Sequence, residues 1–143
     1  MLNQSEIKKI IPHREPMLLV DTIETVRENY VHATYYVTGD EFFLQGHFPD
    51  NPVVPGVILC EIMAQSSCLL IAEHLKNRTP FYAGIDKVRF KRPVKPGDTI
   101  DVFASVIQNK GLLFVARAEA KVNDQICASG DLTFMLIDNE KLK

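Results

Sequence analysis

The sequence predicts an α+β chain in which an antiparallel sheet wraps one long central helix. Two observations predict it. The stretch from Val57 to Ala72 is nearly all apolar, interrupted by Glu61 and Gln65. A helix that is apolar on nearly every side is one enclosed by other structure. Downstream lie four strand-like segments separated by turn residues, an arrangement that favours an antiparallel sheet. Wrapping that sheet around the helix is the simplest way to bury every side of it.

Taken in order, Ser5 can cap a short helix running to about Ile11, with Pro12 ending it. Leu18 to Val26 and Tyr30 to Thr38 are rich in Val, Thr, Tyr and Ile and read as strands. The loop from Gly46 to Pro55 carries three prolines, each of which fixes its own φ and restricts the residue before it. The central helix is expected from about Gly56 to Lys76. His74, Lys76 and Arg78 suit the negative end of its dipole. Strands are expected over Phe81 to Phe90, Thr99 to Gln108, Leu112 to Val122 and Gln125 to Ile137. Asn109-Lys110-Gly111 and Asn123-Asp124 are tight-turn segments, so the last three strands should form a meander. Pro93 and Pro96-Gly97-Asp98 mark a turn before it. No repeat or linker divides the chain, so residues 1–143 read as a single domain.

Apolar residues make up 46% of the chain and charged residues 24%, the balance of a folded protein rather than a disordered one. A net charge of −2 gives the chain as a whole no attraction for nucleic acid or an anionic membrane. The first residues are polar and do not read as a signal peptide. The apolar run is short for a bilayer span and holds an ionisable group, so a core helix is expected rather than a membrane segment. Cys60, Cys68 and Cys127 are odd in number and lack framework spacing, which fits a reduced cytoplasmic protein.

Glu61 and Gln65, four apart, share one face of the central helix. A carboxylate in apolar surroundings is costly unless it is paired or belongs to a site. A structural glutamate satisfied by backbone or by an arginine would account for Glu61 alone. The preceding loop favours a site. It places His47 fourteen residues before Glu61, and Gly56 at the first turn of the helix. First-turn N–H groups have no partner within the helix and carry the positive end of its dipole. A base, an acid and an oxyanion donor can therefore converge at one helix start.

The run Gly46-His-Phe-Pro-x-x-Pro-Val-x-Pro-Gly-Val57, followed by Glu61 and Ala64-Gln65, resembles the signature of FabZ-type β-hydroxyacyl-[acyl carrier protein] dehydratases. The resemblance extends to Pro12-His-Arg-x-Pro-Met-Leu-Leu-Val-Asp21, to Phe42-Phe43, to Ala83-Gly-Ile-Asp-Lys-Val-Arg-Phe-Lys-Arg-Pro93 and to Pro96-Gly-Asp98. It implies the hot-dog fold. It also implies a homodimer as the basic unit, often three dimers per hexamer. The related FabA type typically carries Asp where this chain has Glu61. The chain departs from the family at Asp50, where many members have glycine, and at Ser66-Ser67-Cys68, where small residues including glycine are common.

The activity implied is dehydration of (3R)-3-hydroxyacyl-ACP to trans-2-enoyl-ACP in fatty acid biosynthesis. His47 would take the C2 proton, and Glu61 would protonate or orient the leaving hydroxyl. The Gly56 N–H would receive the thioester oxygen, and Gln65 would orient Glu61 or a water. No redox cofactor or metal is called for, the substrate being carried on phosphopantetheine. The partner implied is acyl carrier protein. Lys87, Arg89, Lys91 and Arg92, with Lys95 nearby, read either as a solvated strand face or as a docking patch for that acidic carrier. His13, His32 and His74 show no metal-ligand spacing and read as solvent-facing or locally bonded. Cys60 reads as a small buried hydrophobe rather than a nucleophile. Two other functions share the fold: an acyl thioesterase or hydratase, and a non-catalytic acyl-thioester-binding regulator. The first normally lacks the His-Phe-Pro loop at this distance from Glu61. The second usually adds a DNA-binding segment, for which few residues precede the fold.

Overall fold

The computed structural model describes residues 1–143. Helix α1 spans Gln4–Ile7 and strand β1 Thr22–Arg27. Strand β2 spans Tyr30–Tyr36 and helix α2 Gly56–Cys68. Strands β3 (Arg78–Phe90), β4 (Thr99–Lys110), β5 (Leu113–Val122) and β6 (Gln125–Asp138) complete the fold. All six strands form one antiparallel sheet in the order β1-β2-β4-β5-β6-β3. The β4-β5-β6 meander expected from the turns is present. Asn123 and Asp124 take φ values of 50° and 66°, the left-handed pair that a tight hairpin needs.

Helix α2 packs against β2, β4, β5 and β6. The strands present alternate residues to it. Ile100, Val102 and Ala104 point inward from β4, and Phe114, Ala116, Ala118 and Ala120 from β5. The run of inward alanines leaves room for the helix to lie close to the sheet. Nine of the thirteen residues of α2 are buried, so its apolar length belongs to the core.

Local chemistry moves several expected boundaries. Asn3, not Ser5, caps α1: its side chain accepts from Glu6 N–H, and the Glu6 carboxylate accepts from Asn3 N–H. This reciprocal pair is a capping box. The helix closes at Ile7, four residues earlier than expected. The strand expected from Leu18 begins only at Thr22. Leu18, Leu19 and Val20 are buried, but the Leu19 N–H donates to a side chain, Gln65 Oε1, instead of to a neighbouring strand.

The central helix changes pitch at Cys68 and continues as a 3₁₀ segment over Leu69–His74. Ser66 and Ser67 hydroxyls donate to the carbonyls of Ile62 and Met63 at 2.9 and 2.7 Å. Such back-bonding competes with the helical ladder and bends it. The basic end behaves as expected at one residue: Arg78 Nη1 donates to the His74 carbonyl at 3.4 Å.

Met63 lies on α2 with no exposed surface. Met63→Ala is expected to cost about 2–5 kcal/mol in denaturant unfolding, the range for truncating a fully packed core side chain. A loss well under 1 kcal/mol would contradict a helix enclosed on all sides.

Candidate active site

The loop before α2 holds His47 by its backbone and its ring. His47 N–H donates to Leu44 O, and Nδ1 lies 2.9 Å from Val53 O. A carbonyl only accepts, so Nδ1 carries the hydrogen and Nε2 keeps its lone pair when the ring is neutral. The adjacent Phe48 takes φ 62°. Val54 N–H donates to Val94 O and ties the end of the loop to the chain beyond β3.

Helix α2 starts without a side-chain cap. Ile58 and Leu59 N–H groups donate to Pro55 O, whereas those of Gly56 and Val57 have no backbone acceptor. These free donors sit at the positive end of the helix dipole. A Cβ on Gly56 would meet the Phe90 ring at 3.0 Å, so the glycine also lets that ring pack over the helix start. His47, Gly56, Phe90, Lys91 and Arg92 line one cavity of about 580 Å³.

Glu61 is placed elsewhere. Five residues of α-helix turn it about 140° from Gly56. Its side chain is 19% exposed, hydrogen-bonded by two neighbours and approached by a third. Gln65 Nε2 donates to Oε2 at 2.8 Å, the Tyr82 hydroxyl donates to Oε1 at 3.2 Å, and His13 Nε2 lies 3.7 Å from Oε2. Gln65 is fully buried and fully bonded. Its Oε1 accepts from Leu19 N–H at 2.7 Å, and its Nε2 also donates to Met17 O at 2.6 Å. Burial, then the charge of Glu61, pushes the Tyr82 hydroxyl well above its ordinary range, so it stays a donor. Burial likewise raises the Cys60 thiol, and it takes Cys68 to about 12. Both remain protonated, as suits small buried hydrophobes rather than nucleophiles.

The structure thus brings His47 together with Gly56, and Glu61 together with Gln65, but no bond joins the two groups within one chain. His13, expected to be solvent-facing or locally bonded, is instead a neighbour of the distant Glu61. Tyr82 had no signal in the sequence, because strand β3 carries several aromatic residues and only the fold selects one. Among the basic residues, Lys91 and Arg92 line the His47 cavity. Lys87 does not follow the expected strand alternation. It sits in a register shift between Asp86 and Arg89 with φ 55°, and its Nζ lies 4.0 Å from Asp131.

Comparison with known proteins places this geometry in a family. Residues 11–131 match the FabA-like domain. The 3-hydroxyacyl-[acyl-carrier-protein] dehydratase FabZ of Clostridium perfringens (strain SM101 / Type A) is 48% identical over 138 residues, which cover 95% of this chain and 99% of that protein. In fold, the chain matches a subunit of the dehydratase heterocomplex ApeI:P from Xenorhabdus doucetiae, with TM-score 0.83 and 20% identity, covering 95% of this chain and 93% of that one. It also matches a hypothetical thioesterase from Streptococcus pneumoniae TIGR4 solved with coenzyme A, with TM-score 0.64 and 13% identity, covering 82% and 85%. The hot-dog fold is therefore common to dehydratases and thioesterases, and the full-length 48% identity is what distinguishes them here. The chain belongs to the FabZ family of 3-hydroxyacyl-[acyl-carrier-protein] dehydratases.

Proposed function

We propose that the chain dehydrates (3R)-3-hydroxyacyl-ACP to trans-2-enoyl-ACP in fatty acid biosynthesis, with His47 as base and Glu61 as acid. The observation that carries the assignment of roles is the contrast between the two side chains. His47 has a free Nε2 lone pair beside unpaired helix-start N–H groups, while Glu61 is an oriented carboxyl on an apolar helix. His47 Nε2 removes the C2 proton, and the thioester oxygen gains charge, which the Gly56 N–H receives. The C2–H electrons become the C2–C3 double bond. The C3–O bond breaks, and Glu61 donates the proton that lets hydroxide leave as water. Gln65 keeps Glu61 in place. The reading calls on no metal or redox cofactor and suits the cytoplasm, where three free cysteines stay reduced.

Because His47 and Glu61 occupy separate surroundings in one chain, the proposal includes a homodimer with two composite sites, each combining His47 of one copy with Glu61 of the other. Two features support it. Strand β3 is a sheet edge, paired only with β6, so its outer backbone groups are open to another strand. Large apolar side chains are exposed on it and near the His47 loop, among them Phe48, Val57, Phe81 and Ile85. Three such dimers make the hexamer common in the family. Acyl carrier protein is the partner proposed, with Lys87, Arg89, Lys91 and Arg92 as its docking residues. Lys91 and Arg92 are the foremost of these, because they line the cavity that the acyl arm must enter.

His47→Ala and Glu61→Gln are each expected to lower kcat by about a hundredfold or more, the scale of one acid–base group. Unfolding and refolding the two inactive proteins together should return roughly a quarter of wild-type activity, because half the dimers are hybrids with one intact site of two. If mass measurement proves exchange and activity stays at the single-variant level, the shared site is wrong. Reversing charge at Lys91 and Arg92 should impair the carrier-borne substrate more than a short free thioester, and added salt should narrow the gap. Equal losses on both substrates would argue against docking there.

A further inference from the structure

The two oxygens of Glu61 stand in different environments. Oε2 faces Gln65 Nε2 at 2.8 Å and His13 Nε2 at 3.7 Å. Oε1 faces the more open side, where the Tyr82 hydroxyl reaches it at 3.2 Å. The mechanism above makes no use of His13. We infer that His13 is a positioning residue that, with Gln65, presents donors to Oε2 and thereby keeps the acid proton of Glu61 on Oε1. The inference rests on the dehydratase reading and concerns the same site.

The geometry of His13 leaves little else for it to do. Its Nδ1 is buried and has no hydrogen-bond partner. Its other nitrogen has one polar neighbour, Oε2 of Glu61. A neutral imidazole carries a single N–H, and beside an oxygen that accepts, that hydrogen belongs on Nε2. The ring is kept neutral chiefly by burial, against the pull of the Glu61 charge and with help from Arg14. Arg14 itself is turned away, donating to the carbonyls of Lys8, Ile11 and His13. The titratable groups around the pair are Arg14 on the same segment, Cys60 and Cys68 on α2, and Tyr82 on β3.

Gln65 Nε2 donates to Oε2 at 2.8 Å and the His13 ring faces the same oxygen from 3.7 Å, so a proton placed there would meet the Gln65 donor head-on, and the proton goes to Oε1. Tyr82 can accommodate it. Its hydroxyl lies 3.3 Å from Cys60 O as well as 3.2 Å from Oε1. With Oε1 protonated, the Tyr82 hydrogen turns to the Cys60 carbonyl, and the acid hydrogen is free to face the leaving hydroxyl. Once Glu61 has given up its proton, Tyr82 turns back and donates to Oε1. A buried polar atom without a partner is unusual in a folded protein. At Nδ1 of His13 it follows from holding the ring for Glu61 alone.

The test compares wild type with His13→Leu, His13→Gln and His13→Asn on a (3R)-3-hydroxyacyl-ACP substrate, measuring kcat, KM and the pH profile of kcat. Circular dichroism and thermal unfolding establish that each variant is folded. Leu removes the donor, Gln carries an amide N–H to the same depth, and Asn carries one that falls short. The Leu and Asn variants are expected to lose roughly tenfold or more in kcat, part of what the acid itself supplies, with KM little changed. The limb of their pH profile that reports the acid should move to higher pH. Gln should recover most of the loss and the wild-type profile. If Leu fails to fold, the contrast between Gln and Asn decides alone. Wild-type kcat and an unmoved profile in folded Leu or Asn would overturn the inference, as would equal impairment of Gln and Asn with an unmoved profile. A wild-type protein that does not dehydrate the substrate overturns the dehydratase reading instead, and this inference with it.

Discussion

The side-chain amide of Gln65 is the contact on which the surroundings of Glu61 depend. It accepts from Leu19 N–H and donates to both Met17 O and Glu61 Oε2, all from inside the core. A buried amide must satisfy its donors and acceptor or cost the desolvation of each, on the order of 1–3 kcal/mol per group. Gln65 meets that demand by fastening the segment before β1 to the central helix. Two of these bonds, to Leu19 N–H and Met17 O, hold the segment outside the sheet ladder, and the same segment carries His13 to Glu61. One residue therefore links the course of the chain, the limit of a strand and the orientation of a carboxyl.

The rest of the fold makes that carboxyl usable. An α-helix enclosed by a sheet has no water to solvate an ion, so Glu61 sits at the one part of α2 where Tyr82, His13 and an open side meet. The start of the same helix supplies free N–H groups, with a ring-bonded histidine beside them. Helix geometry turns Glu61 about 140° from Gly56, which sets the two groups apart within a single chain. The open edge of β3 and its exposed apolar side chains provide the surface on which a second copy would bring them together.

Much of this was legible in the sequence because it is local. The four-residue spacing of Glu61 and Gln65, the proline-stiffened loop and the glycine at the helix start depend on periodicity and backbone chemistry. What was not legible depends on contacts between distant segments. His13 looks unremarkable until residue 65 draws its segment to the helix. Tyr82 is one aromatic among several until strand pairing decides which faces Glu61. The basic residues from Lys87 onward suggest a regular strand face, but the positive φ of Lys87 breaks the alternation. The helix boundary shifted for a local reason instead: Ser66 and Ser67 are small and look compatible with a helix, yet their hydroxyls take up the carbonyls four residues behind them.

The most direct test of the account is the mass of the product formed from (3R)-3-hydroxyacyl-ACP by the wild-type protein. The account predicts loss of one water with the acyl chain still attached to its carrier. Release of the free acid would identify a thioesterase on the same fold, and an unchanged substrate would identify a binding protein; either result would contradict the roles given to His47 and Glu61.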